Sequence, residues 1–380
     1  MHKKKAAFIF ALPIRSYPIL VTMPFGLNII KILDQKGYNI DVYLSEYKND
    51  AYKELFSKNV TVHFINQNYL WRNQVPLAYF MVTTFFKLKS FFQLRNKYEL
   101  IFGTGMAGIT LAAILKRFNK QGKFIYLNDE FPAQVTRSIW VDSEIKYAVQ
   151  SDVVVIPDET RLEPLCKQIP GLNKIQHFTL PNAPLMDEIK DTPQIDWHDY
   201  FNLTKNKHLF LTAGGISETY LISDLISSVR NWPKNCVLIV KSKNSNDDLK
   251  NKYPELNLSE NIILCNENLS SKKLHSLIKY CTASIGLYRN ENDNVYYVGK
   301  SSGKIMRSLA LGKPVIASNF PSLNFIKEMN LGKLVSDPGE IGKAVEYILE
   351  NQEKLMANCI ENYPTISFEK YWTIFKKNLI

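Results

Sequence analysis

Cysteine is scarce and unpatterned in this 380-residue chain. Its five residues, Cys166, Cys236, Cys265, Cys281 and Cys359, lie far apart, form no CxxC pair and leave an odd thiol. That excludes a disulfide framework and a cysteine-based zinc site, and it suits free thiols in a reducing cytoplasm. The six histidines show no metal-like spacing. No apolar run reaches the roughly 18 residues needed to span a bilayer. No zinc-finger or RNP-type pattern is present, so nucleic acid is not expected as a partner. Met1-His2-Lys3-Lys4-Lys5 followed by apolar residues 6–12 has the outline of a signal peptide. Pro13 and Arg15 follow at once without a small-residue cleavage pattern, so the run reads as a first β-strand.

What is present is apolar residue (46%), a formal net charge of +11, and a length that fits two ordinary domains. Strand-like and helix-like patterns alternate. Strands are expected at 6–12, 40–44, 60–65, 100–102, 123–127 and 152–156, with helices at 25–36, 50–56, 76–97, 107–118 and 144–150. The pattern breaks over 181–197, where Pro181, Pro184 and Pro193 sit among acidic residues, as in a linker. It restarts with strands at 208–212, 236–240, 262–265, 283–287, 314–317 and 331–335 and helices at 222–231, 270–280 and 340–351, ending in an aromatic, basic helix at 367–380. This is an α/β chain of two Rossmann-like, doubly wound domains, 1–185 and 186–366, with a C-terminal helix. In such sheets a ligand binds outside the carboxyl ends of the strands, which makes a cleft between the domains the expected site.

Residues 301–318, Ser-Ser-Gly-Lys-Ile-Met-Arg-Ser-Leu-Ala-Leu-Gly-Lys-Pro-Val-Ile-Ala-Ser, carry the sharpest chemistry. A helix that begins in Ser302-Gly303 offers free backbone N–H groups and the positive end of its dipole, and Lys304 adds a full charge. Ser301, Ser302, Gly303 and Lys304 are therefore candidates to hold a phosphate. Gly214-Gly215 closes a strand where the chain can approach a ligand, or simply makes a tight turn. Lys241 ends another strand, either beside a phosphate or on the surface. Asp247-Asp248 lies in a polar loop, and no Asp-x-Asp follows a strand, so no metal is expected. Asp129 and Glu130 follow the strand 123–127; they are candidate catalytic carboxylates or turn caps.

The 301–318 segment resembles the Ser-Pro-x-Lys-Leu-x-Glu-Tyr-Leu-Ala-x-Gly-Lys-Pro-Val-Ile-Ala-Ser stretch of GT-B-fold glycosyltransferases, most closely the large family 4 group. Gly286-Leu287-Tyr288 and residues 292–297 look like that group's glycine-led strand and Asn/Tyr-rich donor loop, which brings in Tyr297. Ser151–Arg161 and Leu180-Pro181-Asn182-Ala183-Pro184 look like its Ala-Asp-x-Val-Ile strand and its Pro-Asn hinge. One departure stands out. The group often carries two glutamates eight positions apart, the second binding the donor's ribose, and those positions here are Gly299 and Arg307. Arg307 then pairs with a phosphate or acidic sugar, or is a surface helix residue; both readings stay open.

The resemblance implies a C-terminal domain that binds a nucleotide-sugar and an N-terminal domain that binds the acceptor, with the last helix crossing back. It implies that the base lies against Asn266-Glu267-Asn268, with Asn266 and Asn268 as contacts. On the acceptor side it implies Arg15, Tyr17 and Gly26 of the first βα loop and Thr104 of Gly103-Thr104-Gly105. The expected activity is metal-independent, retaining transfer of a sugar to a surface glycan or lipid-linked oligosaccharide, in the cytoplasm or at the inner membrane face. The helix 76–97, with Tyr79, Phe80, Phe85, Phe86, Phe91 and Phe92 beside Lys87, Lys89 and Arg95, either packs on its sheet or meets that membrane. A nucleotide-sugar epimerase on the same fold and a non-catalytic binding subunit are the alternatives.

Overall fold

The structure is a computed structural model and describes residues 4–10, 20, 23–44, 52, 55–64, 97–132, 139–257 and 259–379. Arg15, Tyr17, most of the expected helix 50–56 and residues 76–96 of the aromatic helix lie outside the described residues. Contacts divide the chain into two units: Met1–Leu180 with Ile374–Ile380, and Pro181–Thr373. No helix among the described residues is long and apolar enough to cross a membrane.

The first unit contains β1 (Lys5–Phe10), β2 (Asn39–Leu44), β3 (Val60–Phe64), β4 (Leu100–Thr104), β5 (Lys123–Leu127), β6 (Val153–Ile156) and β7 (Gln176–Thr179). They form one sheet in the order β3-β2-β1-β4-β5-β6-β7, with every pairing parallel. Strands β1, β4, β5 and β6 are buried almost throughout. That is why they read as continuous apolar runs: helices cover both faces of a parallel sheet. Strand β7 is polar and partly exposed, an edge strand without an apolar run. It was invisible to hydrophobic patterning and adds one strand to those expected. Three helices matter below: α1 (Pro24–Gln35), α2 (Gly105–Phe118) and α3 (Ile139–Ala148).

The second unit contains β8 (His208–Ala213), β9 (Cys236–Lys241), β10 (Ile262–Cys265), β11 (Ala283–Gly286), β12 (Val315–Ser318) and β13 (Gly332–Val335), ordered β10-β9-β8-β11-β12-β13 and again all parallel. Its helices include α4 (Met186–Lys190), α5 (Ile222–Ser228), α6 (Ser271–Tyr280) and α7 (Gly303–Ala310), and α8 (Phe368–Leu379) begins in this unit while its residues from Ile374 belong to the first. Alternate residues of the strands feed two apolar cores. Phe210, Leu238, Val240 and Ile285 belong to one, and Leu209, Leu211, Val237 and Ile239 to the other. With side chains alternating across a strand, these are the two faces of the sheet.

The segment 181–197 is not a loose linker. Trp197 is fully buried, sits in the second core and donates from Nε1 to Ser276 Oγ at 3.1 Å. Its prolines interrupt periodicity without interrupting packing.

In both units the direction of strand addition reverses once, between β1 and β4 and between β8 and β11. A glycine lies under the following helix at each reversal. A Cβ on Gly103 of β4 would lie 2.5 Å from Ala112 Cβ of α2, and one on Gly286 of β11 would lie 2.8 Å from Ile305 Cγ1 of α7. These glycines seat α2 and α7 directly on their strands.

Candidate functional site

The start of α7 is built by local chemistry. Ser302 is the N-cap: its Oγ accepts from the Ile305 amide at 3.4 Å, and its carbonyl takes the Met306 amide at 2.9 Å. The amides of Gly303 and Lys304 donate to no group among the described residues. The helix ends in a left-handed Gly312 at φ +72°, with the Lys313 amide reaching back to Ser308 O at 2.9 Å, and Pro314 follows. The loop before α7 is tied down from behind. Asn182 donates from its amide to Lys300 O and from Nδ2 to Ser301 O, each at 3.0 Å, and Ser301 Oγ donates to Val298 O.

Lys304 is half-buried as a residue, and its ammonium is the enclosed end. Nζ lies 4.3 Å from the ring centroid of Tyr220 and 5.2 Å from that of Tyr288. Tyr220 follows β8 and Tyr288 follows β11, so Lys304 stands at the strand-order reversal of this sheet, where doubly wound folds take their ligands. Burial pulls its pKa down to about 8. No carboxylate among the described residues pairs with it; the two rings are its only cation contacts there. A desolvated cation with no counter-ion among the described residues, on the same helical turn as two open amides, is chemistry suited to an anion.

Other residues singled out in the sequence fall around this edge. Gly214 has φ +119°, and nothing lies within 4 Å of a Cβ placed there, so conformation rather than space calls for glycine. Lys241 is buried, with Nζ donating to Ser242 O at 3.0 Å. Asn266 and Asn268 are exposed after β10. Tyr297 is half-buried, its ring 4.9 Å from that of Tyr296.

Arg307 lies one turn beyond Lys304, half-buried, and makes no hydrogen bond or ion pair among the described residues; its Nε is shut off from solvent. Burial lowers its pKa, opposed by Glu188 of α4. His275 of α6 is 4% exposed, its Nδ1 without a partner. Burial, then Arg307, holds it toward the neutral form. Tyr220, Tyr288 and Asn182 were not named as site residues. Two of them have a signal in the family resemblance, Tyr288 in Gly286-Leu287-Tyr288 and Asn182 in the Pro181-Asn182 hinge; Tyr220 has none.

At the carboxyl edge of the first sheet, Thr104 is buried at the N-cap position of α2 without capping it. Gly26 is buried in α1, where a Cβ would meet Phe10 and Met23 at 3.1 Å, a packing position. Asp129 is half-buried and Glu130 exposed. Their backbone is held rigidly: Arg161 Nη2 donates to Asp129 O at 2.8 Å and Asn128 Nδ2 to Glu130 O at 2.9 Å.

Behind them, Tyr126 donates to Glu144 Oε1 of α3 at 2.6 Å, and Asn128 Nδ2 donates to Tyr126 at 2.9 Å. Glu144 is 4% exposed. Burial raises its pKa from 4.5 to about 7, the Tyr126 bond opposes this and Glu130 adds to it. Folded Glu144 thus keeps its proton where unfolded Glu144 loses it. The associated stability is fully present below pH 4.5 and is lost as pH rises through 7, about 3 kcal/mol in all. Glu144→Gln should flatten thermal melts between pH 5 and 8; an unchanged slope would show that another group governs it.

No family model matches the sequence, and no curated protein is significantly similar to it. Solved structures are similar. Anabaena Alr3699/HepE in complex with UDP-glucose superposes with a TM-score of 0.68 at 13% identity, over 99% of this chain and 98% of that one. WaaG, a glycosyltransferase involved in lipopolysaccharide biosynthesis, does so with a TM-score of 0.62 at 13% identity, over 97% and 96%. The fold is GT-B. GT-B chains differ in activity: a putative UDP-N-acetylglucosamine 2-epimerase from Listeria monocytogenes also matches, with a TM-score of 0.59 at 14% identity over 94% and 91%. At this identity the likeness is one of fold, and activity has to be argued from the site.

Proposed function

We propose that this protein is a glycosyltransferase, of the family 4 type, that moves a sugar from a nucleotide-sugar donor to a glycan or lipid-linked acceptor. One observation carries the proposal: Lys304, without a counter-ion, stands beside the open amides of Gly303 and Lys304 at the β8/β11 reversal. Cleaving a sugar–phosphate bond requires charge stabilisation of the leaving diphosphate, and preorganised amides with a cation supply it. HepE, of the same fold, was seen with UDP-glucose, which supports a nucleotide-sugar here. The test is a thermal-shift screen against UDP, GDP, CMP and their sugars, since a ligand of the folded state raises the melting temperature. No shift with any of them would favour a non-catalytic binding subunit, an alternative kept alive by Gly299 and Arg307 at the two glutamate positions.

The transfer retains configuration and needs no metal, with Lys304 and Arg307 supplying the positive charge. Chelator then leaves most of the activity in place; complete loss restored by Mg²⁺ or Mn²⁺ would refute this. With retention assisted by the leaving phosphate, Asp129 and Glu130 orient the acceptor rather than remove its proton. A general base contributes about 10²- to 10⁴-fold. Asp129→Asn and Glu130→Gln should each lower turnover by less than about tenfold, and a larger fall in either identifies a base. The epimerase reading, favoured by the Listeria neighbour, is separated by product analysis: epimerisation consumes a nucleotide-sugar without releasing nucleoside diphosphate in step with glycoside formation. The acceptor reading places the protein at the cytoplasmic face of a membrane.

A further inference from the structure

The strands of the first sheet are entered past one kind of charge. Lys4 precedes β1, Lys36 precedes β2, Lys58 precedes β3, Lys97 precedes β4, Lys120 precedes β5 and Lys174 precedes β7, and every one of them is exposed. Strand β6 is entered past Lys146, exposed in the last turn of α3. The strands are all parallel, so these lysines share the amino edge of one sheet. At about 4.8 Å between neighbouring strands the row is roughly 30 Å long. Helix α8 brings Lys376 and Lys377 to the same edge: Asn378 O accepts from Lys123 Nζ at 2.5 Å, and Asn378 Oδ1 accepts from Gln176 Nε2 at 3.3 Å, where Lys123 and Gln176 begin β5 and β7.

Little negative charge offsets the row. The carboxylates at this edge among the described residues are Asp34, Glu99 and Asp152. Asp34 accepts from the Ser57 amide at 2.9 Å and the Ser57 hydroxyl at 2.5 Å. Asp152 accepts from Lys116 Nζ at 3.1 Å and from the Phe124 amide at 2.7 Å. The row also repels itself: burial first, then the neighbouring Lys376 ammonium, lowers the pKa of Lys36. The matching edge of the second unit mixes its signs. Glu260 precedes β10, Glu328 precedes β13, and Lys205, before β8, is paired with Asp196 and Asp199.

Aliphatic side chains stand among the lysines. Leu55, Val149 and Ile374 are exposed. Leu55 lies three residues before Lys58 and Val149 three after Lys146. The Ile374 carbonyl accepts from Asn378 Nδ2 at 3.0 Å, one helical turn on. The chemistry of this edge selects its partner. Lysine is a compact point charge, which responds to charge density rather than to the planar shape of one anion. No exposed aromatic ring among the described residues lies here for bases to stack on. An anionic lipid surface offers dense charge without shape, and an apolar layer for aliphatic tips.

We propose that the amino edge of the first sheet is a docking face for an anionic lipid surface, with the lysine row against the headgroups and Leu55, Val149 and Ile374 reaching between them. Docked so, the carboxyl edge with Thr104, Asp129 and Glu130 stands about 15–20 Å off the lipid, the length of a strand. The proposal rests on the membrane placement given above and not on the phosphate role of Lys304.

The experiment is co-sedimentation of the full chain with vesicles of phosphatidylcholine alone or mixed with phosphatidylglycerol. The wild type should partition onto the mixed vesicles only, and less so as salt is raised. Lys97→Gln with Lys120→Gln should lower that partitioning by about 30-fold, at roughly fivefold per lysine. Both side chains are exposed, so the melting temperature should stay at the wild-type value. Lys250→Gln with Lys272→Gln removes the same charge from exposed positions of the second unit and should partition as the wild type does. An equal fall in both pairs would show that total charge matters and this edge does not. No binding to the mixed vesicles, or binding that neither salt nor the Lys97 and Lys120 pair weakens, would overturn the proposal. Duplex DNA that binds more tightly than the mixed vesicles and is lost in the same pair would assign the edge to nucleic acid instead. A chain that binds UDP but no vesicle loses the docking face and keeps the transferase reading; one that binds vesicles but no nucleotide does the reverse.

Discussion

Lys304→Ala lowers affinity for nucleoside diphosphates by about 10- to 150-fold, the equivalent of a hydrogen bond to a charged group of about 1.5–3 kcal/mol. The effect is large because the ammonium has already lost its water: burial holds its pKa near 8, and its cation contacts among the described residues are ring faces. Desolvation is thus completed at folding, and a phosphate meets a bare cation. Loss of the side chain leaves the Gly303 and Lys304 amides in place, so binding weakens rather than vanishes. The same pKa sets a pH dependence. Below about pH 8 the free protein already carries the proton, and affinity is flat. Above it, binding must take a proton up, and affinity falls by as much as about tenfold per pH unit until the bound-state pKa is reached. Calorimetry with UDP and GDP at pH 6.5, 7.5, 8.5 and 9.5 checks both statements. A wild-type profile flat through pH 9.5, or a Lys304→Ala chain with unchanged affinity for every diphosphate tested, would remove Lys304 from the site.

The two halves of this site differ in how far they are legible in the chain. Ser302 as a cap, Gly312 as a left-handed stop and Pro314 just before the next strand are local chemistry within one short segment. The segment therefore identifies its own helix and strand, with the open Gly303 and Lys304 amides at the start of α7. Tyr220 over Lys304 is not legible, because that contact exists only when β8 and β11 become neighbours, and nothing along the chain announces this order. Glu144 under Tyr126 is likewise a product of α3 packing on β5; a glutamate in a helical pattern reads as solvated. The segment 181–197 misleads for the opposite reason. Its prolines erase the periodicity by which buried segments are recognised, while Trp197 is as buried as any residue in the unit. Strand β7 fails in a third way, since an edge strand of Gln, His, Phe and Thr carries no apolar signature.

Gly286→Ala should damage both the fold and the site, and this second prediction ties them together. The added methyl would stand 2.8 Å from Ile305 Cγ1, 3.2 Å from Ile305 Cδ1 and 3.6 Å from Lys304 Cδ. Ile305 is 1% exposed, so it has no empty space to turn into, and α7 must lift from β11. Overpacking of this kind costs about 1–3 kcal/mol. The lift also moves Lys304, the next residue, away from Tyr288, which stays fixed to Ser318. Nucleotide affinity should therefore fall along with the melting temperature. Shortening the partner separates steric from conformational causes: Ile305→Ala alone costs about 2–5 kcal/mol through its cavity, but Gly286→Ala with Ile305→Ala should cost clearly less than the two singles added, because each change makes room for or fills the other. Additive losses would mean that Gly286 is needed for its backbone and not for the close seat of α7. Gly103 offers the internal control. Its Cβ position lies 2.5 Å from Ala112 Cβ in the other unit, so Gly103→Ala should lower stability by a similar mechanism while leaving the affinity for nucleotide at Lys304 as it was.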